Sequence, residues 1–241
     1  MLNEKMYSLG SKRSTIREIF EYAKVRAEQI GKENVFDFSI GNPSVPAPEI
    51  VNQTLCDLVK NASPVALHGY TSAQGDKQVR DTIAQNYTRR FGVQLCGDDL
   101  YMTCGAAASL TISVKALTCD NDEFIVFAPF FPEYKVFIEN AGAKIVIVPS
   151  DEQTMLPDFV ALKNAINPHT KGVIINSPNN PSGVVYGEKT LQTLADILSE
   201  KSKEYGDSYR NDSEIIGDDL KGEIHPKKVS KERIDSCKAD A

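Results

Sequence analysis

Gly172-Val173-Ile174-Ile175-Asn176-Ser177-Pro178-Asn179-Asn180-Pro181-Ser182-Gly183 passes from a short apolar run into a polar, proline-rich loop that ends on glycine. The run 172–176 has the length and β-branched content of a buried strand. Beyond it, two prolines and a glycine restrict the backbone, so an asparagine amide there is held in a set direction. Such an amide can donate a hydrogen bond to a phenolate oxygen. For a turn alone the string is unusually elaborate.

Outward from this stretch the pattern alternates. Strands are expected at 100–104, 123–127, 144–148 and 172–176, and helices at 49–60, 76–91, 106–117, 132–141, 157–166 and 188–204. Short apolar runs alternating with helices predict an α/β fold with a mostly parallel sheet buried on both faces. Upstream, Ile16, Ile19, Phe20, Ala23, Ala27 and Ile30 recur at helical spacing over 14–30, with Ser14 as cap and Gly31 as stop. The run 35–40 reads as extended. Three prolines and a glycine in 41–48 predict a shaped, largely extended loop.

Two further strand ends carry chemistry. Thr103-Cys104-Gly105-Ala106-Ala107-Ala108-Ser109 leads from a strand into a helix, whose first N–H groups and dipole suit a phosphate when the side chains are small. A tight turn at Gly105 explains the same residues more simply. Pro129-Phe130-Phe131-Pro132 follows the next strand, where an aromatic face can cover a flat heteroaromatic ring in the crevice. The plainer reading places both phenylalanines in the core.

The bulk properties exclude more than they identify. Net charge is −6 with no basic stripe, which argues against nucleic acid. The five cysteines form no CxxC pair and the three histidines no ligand set, so neither a disulfide frame nor a metal site is expected. No apolar run reaches the length of a membrane helix, no signal peptide is visible, and a cytoplasmic protein is expected.

Asn179-Asn180-Pro181-Ser182-Gly183 resembles the NPxG signature of class I/II, fold-type I aminotransferases. The likeness continues upstream in the family's order, through Phe131, Gly105-Ala106-Ala107, Tyr70-Thr71-Ser72-Ala73-Gln74-Gly75 with Val79-Arg80, and Ile40-Gly41-Asn42-Pro43. It covers about residues 10–206. The resemblance implies a three-layer large domain, pyridoxal 5'-phosphate as cofactor, and amino-group transfer between an amino acid and a 2-oxo acid. It implies that the Ala106 and Ala107 N–H groups beside Gly105 bind the cofactor phosphate. Phe131 would stack on its ring and Asn180 would hydrogen-bond its phenolic oxygen. Gly41 would meet the substrate carboxylate. Tyr70 would reach the phosphate of a neighbouring subunit, implying a homodimer. One departure is that the phosphate loop carries alanines where many relatives have a hydroxyl or a lysine.

Residues 207–241 contain nine Asp or Glu and seven Lys or Arg, and Ile215-Ile216 is their one adjacent aliphatic pair. They read as a charged, disordered tail without a convincing strand. Within it 214–219 is faintly similar to the family's strand that ends in the pyridinium partner, which would make Asp218 that residue. The lysine that holds the cofactor covalently is not found. The expected organisation is an arm and small-domain segment at 1–48, a partial cofactor-binding domain at 49–206, and a truncated or frame-shifted tail at 207–241. The alternatives are a non-catalytic fragment or dimer partner, or a lyase or decarboxylase on the same fold. A dinucleotide-binding domain is disfavoured because no GxGxxG opens a strand–helix unit.

Overall fold

Helical periodicity is satisfied in the first part of the chain without a core to match it. The structure is a computed structural model describing residues 2, 4–11, 15–41, 45–205 and 214–217, and it divides into the units Met1–Tyr70 and Thr71–Ala241. The first unit holds α1 (Glu4–Ser11), α2 (Thr15–Ile30), α3 (Glu49–Asn61) and α4 (Pro64–His68). No residue of α2, α3 or α4 is buried. The apolar stripe of α2 is present, yet Ile16 and Ile19 remain 42% and 50% exposed. Spacing sets such a stripe, but burial requires a facing layer. The run 35–40 forms no strand. There the Asp37 carboxylate accepts bonds from the Ser39 N–H and hydroxyl, at 2.9 and 2.6 Å, a local turn that competes with strand pairing.

The second unit begins with α5 (Lys77–Phe91), capped by Asp76, whose side chain accepts from the Val79 N–H at 3.0 Å. There follow α6 (Ala106–Leu117), β1 (Glu123–Phe127), α7 (Glu133–Ala141), β2 (Lys144–Val148), α8 (Phe159–Ala165), β3 (Thr170–Ile175), α9 (Glu188–Tyr205) and β4 (Glu214–Gly217). The strands are parallel in the order β2-β1-β3-β4. Side chains alternate across the sheet as the pleat requires. Phe124, Val126 and Ile174 pack with Leu110 and Val114 of α6 and Tyr134 and Ile138 of α7. Ile125, Phe127 and Val173 pack on the other face with Leu162 of α8 and Leu194 and Ile197 of α9. The α/β, three-layer expectation therefore holds, and the core lies in this unit.

Two expectations are corrected. Residues 100–104 are not a strand: the Met102 N–H bonds the Gln74 carbonyl, and no ladder partner lies beside them among the described residues. A β-like pattern becomes a strand only with a neighbour to pair with. Conversely, Glu214–Gly217 is a strand, where the tail was expected to hold none. It pairs with β3 from Gly172↔Glu214 to Ile175↔Gly217, so the Ile215-Ile216 pair lies along the edge of β3 that β1 leaves open. Asp218 lies outside the described residues.

Arg80 anchors the entrance to this unit. It is only 4% exposed, and its guanidinium donates to the Gly75 and Gly97 carbonyls. Its 3.3 Å pair with Asp98 contributes less, because Asp98 is 72% exposed. Arg80→Ala is expected to lower unfolding free energy by about 2–3 kcal/mol, since two carbonyls lose charged donors. Urea unfolding of the variant beside the parent, with an unchanged slope, measures it; a loss under about 0.5 kcal/mol would show that solvent replaces the guanidinium freely.

Candidate functional site

β1 leads through α7 to β2 on one side, whereas β2 leads through α8 across β1 to β3 on the other. The direction of winding thus reverses between β1 and β3, and ligands of open α/β sheets bind outside the carboxyl ends of the strands at such a point. The two loops singled out in the sequence leave from there. Val126 of β1 pairs with Ile174 of β3, one residue before each strand ends. The Phe131 loop continues from β1 and the Asn180 loop from β3.

α6 brings the third element to the same end. It stops at Leu117, a few residues before β1, and packs back along that strand through Leu110 and Val114. Its N-terminus therefore lies toward the carboxyl ends of the strands. Ala108 and Ser109 donate the first bonds of the helix to the Gly105 carbonyl, at 3.1 and 3.2 Å, which leaves the Ala106 and Ala107 N–H groups ahead of the ladder. Gly105 has φ 107° and ψ 168°, a conformation open essentially to glycine alone. A Cβ there would meet nothing within 4 Å, so backbone conformation rather than space selects glycine. The alanines supply no hydroxyl, but their neighbours do. Thr103 Oγ1 and Ser109 Oγ lie 2.6 Å apart, so one donates to the other, and both stand within hydrogen-bond reach of the Gly105 carbonyl, at 3.2 and 3.4 Å. Sequence reasoning missed this pair, although Ser109 lies one helical turn after Gly105.

Phe131 is half-buried. It packs against the Tyr134–Ile138 cluster and meets the buried Tyr134 ring edge-on, with centroids 5.6 Å apart at 83°. The core and stacking readings are thus not exclusive, since one part of the ring is anchored while another stays accessible.

The Asn180 loop separates two adjacent asparagines. Asn179 is buried, and every polar group on it is engaged. Its N–H donates to the Val184 carbonyl at 2.8 Å and its carbonyl accepts from the Gly183 N–H at 2.7 Å. Its Nδ2 donates to Asn176 Oδ1 at 3.1 Å, and its Oδ1 accepts the Ser182 N–H and hydroxyl at 3.2 and 2.8 Å. Asn176, also buried, donates to the Pro178 carbonyl at 3.2 Å. Asn180 is exposed, and its amide has no hydrogen-bond partner among the described residues. Gly183 closes the loop at φ 74°. Farther on, the Tyr186 N–H donates to Ser177 Oγ at 2.8 Å, and burial pushes the Tyr186 phenol above its ordinary range, keeping it neutral.

Within one unit, then, an α-helix start with free N–H groups, a half-buried ring and an unpartnered amide belong to one end of the sheet. An anionic group on a flat, hydrogen-bonding ring fits that set. Gly41 and Tyr70 are both exposed and belong to the first unit. No cluster of metal-ligating residues occurs among the described residues, and no helix described is long and apolar enough to cross a membrane.

Comparison with known proteins identifies the family. Residues 33–203 match the family described as Aminotransferase class I and II. A probable aspartate/prephenate aminotransferase of Thermus aquaticus is 32% identical over 158 residues, 65% of this chain and 40% of its own length. An aspartate aminotransferase of Pyrococcus horikoshii is 30% identical over 190 residues, 78% of this chain and 46% of its own. The crystal structure of an amino transferase from Eubacterium rectale is 57% identical, with a TM-score of 0.85 over 90% of this chain and 54% of that one. The chain spans about half the length of these relatives. By the match over 33–203 it belongs to the class I and II aminotransferases, whose members use pyridoxal phosphate.

Proposed function

We propose that these residues form the front part of an enzyme moving an amino group between an amino acid and a 2-oxo acid, with pyridoxal phosphate held at the switch point between β1 and β3. The observation that carries this reading is the exposed, unpartnered Asn180 amide on a loop whose neighbouring asparagine is fully engaged. The Ala106 and Ala107 N–H groups beside Gly105 bind the phosphate, aided by the helix dipole. Phe131 covers one face of the ring and keeps water from it. Asn180 donates to the phenolic oxygen and stabilises its ionised form. When bound, the cofactor supplies the carbonyl carbon that receives the amino group and a ring that withdraws electrons from the substrate's α-carbon.

The other roles follow from the family resemblance. Gly41 meets the substrate carboxylate through its backbone. Tyr70 reaches the phosphate of a second copy in a homodimer. Asp218 pairs with the pyridinium nitrogen; it comes directly after β4, next to β3 in the sheet, which favours that assignment. We place the protein in the cytoplasm. The relatives' names include both aspartate and glutamate-pyruvate aminotransferases, so the proposal is stated at the level of an amino acid and a 2-oxo acid.

Asn180→Ala tests the carrying observation. Loss of one hydrogen bond to an ionised oxygen is worth about 1.5–3 kcal/mol, so affinity for pyridoxal phosphate is expected to fall by roughly ten- to a hundredfold. Fluorescence titration reads it, with circular dichroism to show that the fold is kept. Unchanged affinity in a folded variant removes Asn180 from the site.

A further inference from the structure

We propose that Asn179 is a positioning residue for Asn180: it binds nothing itself, but sets the direction in which the Asn180 amide points. The inference rests on the reading of Asn180 given above and extends it to the residues that make that reading possible.

Two identical neighbouring side chains have opposite environments. Asn179 is 8% exposed and Asn176 4%. Buried amides must be paired or they cost stability, and both are paired with each other and with the loop. Asn179 Oδ1 accepts twice from Ser182, and Ser182 Oγ in turn accepts the Val184 N–H at 3.3 Å. The backbone of Asn179 adds two more bonds, to Val184 and Gly183. Thus the residue before Asn180–Pro181 is bonded to both residues after it, Ser182 and Gly183, and to the end of β3 through Asn176. The four-residue segment 179–182 is closed on itself by side-chain bonds and fastened to the sheet. Asn180 rides on it and spends none of its own amide on holding the loop.

This division has a functional consequence. An amide that must meet a ring oxygen gains affinity when its direction is fixed before binding, because the ordering cost is not charged to the ligand. If the clamp opens, Asn180 is still present but its donor samples many directions. The defect should therefore resemble loss of Asn180 and should vanish when Asn180 is already gone.

The experiment is a double-mutant cycle on the whole chain, comparing Asn179→Ala, Asn180→Ala and the double variant. Pyridoxal phosphate is the probe. Two quantities are read, affinity by fluorescence titration and the pH at which the bound cofactor's phenol ionises, by absorbance. A donor to the phenolate lowers that pH, so its loss or misdirection raises it. Asn179→Ala is expected to weaken affinity about tenfold and to raise the phenol's ionisation pH, in the same direction as Asn180→Ala. In the Asn180→Ala background it should change neither the affinity nor the phenol's ionisation constant by more than about twofold. A merely structural residue would lower the melting temperature without moving the phenol. Should Asn179→Ala not fold, Ser182→Ala, which removes the hydroxyl bond to Asn179 Oδ1, gives the same signature at smaller size.

The outcomes separate the two readings. If Asn180→Ala moves both quantities while Asn179→Ala and Ser182→Ala move neither, the positioning role is wrong and the cofactor reading stands. If the effects of Asn179→Ala and Asn180→Ala simply add, Asn179 acts independently and the inference is likewise overturned. If Asn180→Ala moves neither, or the parent chain shows no saturable binding, the cofactor reading falls and this one with it.

Discussion

A purified polypeptide of these 241 residues is expected to exchange no amino groups above the rate of free pyridoxal phosphate, and to form no stoichiometric bond between one lysine and the cofactor. The reason lies in where its lysines are. The loops at the carboxyl ends of β1, β2 and β3, and the turn before α6, contain none. Lys135 and Lys189 stand in the first turns of the helices that follow; Lys135 is paired with Glu139 and Lys189 is exposed. Lys171 belongs to the opposite end of β3, and Lys115 donates to the Ala141 carbonyl at the far end of α6. None of these loops therefore offers an amine to move the substrate's α-proton, and a positioned base is typically worth about 10²–10⁴-fold. Borohydride trapping followed by peptide mapping decides the matter. Scattered, substoichiometric labelling agrees with the account. Full labelling of a single lysine, together with conversion of an amino acid to its oxo acid, would contradict it.

Gly105→Val is expected to lower affinity for pyridoxal phosphate by at least about a hundredfold. At φ 107° and ψ 168° a β-branched residue is strongly disfavoured, so the peptide units around position 105 must turn to relieve it. That rotation moves the Ala106 and Ala107 N–H groups, which would otherwise offer two charge-assisted bonds to the phosphate. Such bonds are worth about 1.5–3 kcal/mol each, so losing both exceeds a hundredfold. Because a Cβ at this position has nothing within 4 Å, the protein should remain folded and the loss should appear in binding. Isothermal titration measures it. A folded variant that binds as tightly as the parent would show that the phosphate lies elsewhere.

The parts of this picture legible in the sequence are those set by local rules. β1 could be read because a central parallel strand is apolar on both faces, as Phe124, Ile125, Val126 and Phe127 are. The start of α6 was placed at Ala106 by the glycine before it and the small residues after it. What escaped depends on distant partners. β4 has two isoleucines in a charged stretch and becomes a strand through the free edge of β3; residues 100–104 have the composition of a strand and no ladder. Order along the chain singled out Asn180, but the different fates of Asn179 and Asn180 come from burial and bonding that no motif specifies. The stripe of α2 was correctly seen as helical, yet period alone does not say whether a face is covered.

The account's central claim is that one crevice, between the ends of β1 and β3 and the start of α6, receives pyridoxal phosphate. The most direct test is titration of the isotope-labelled chain with pyridoxal phosphate, followed by amide chemical shifts. The account predicts one saturable event in which Gly105, Ala106, Ala107, Phe131, Asn180 and the Asn180 side-chain amide move together with a common affinity. Shifts confined to other segments, or these residues responding at unrelated affinities, would contradict it.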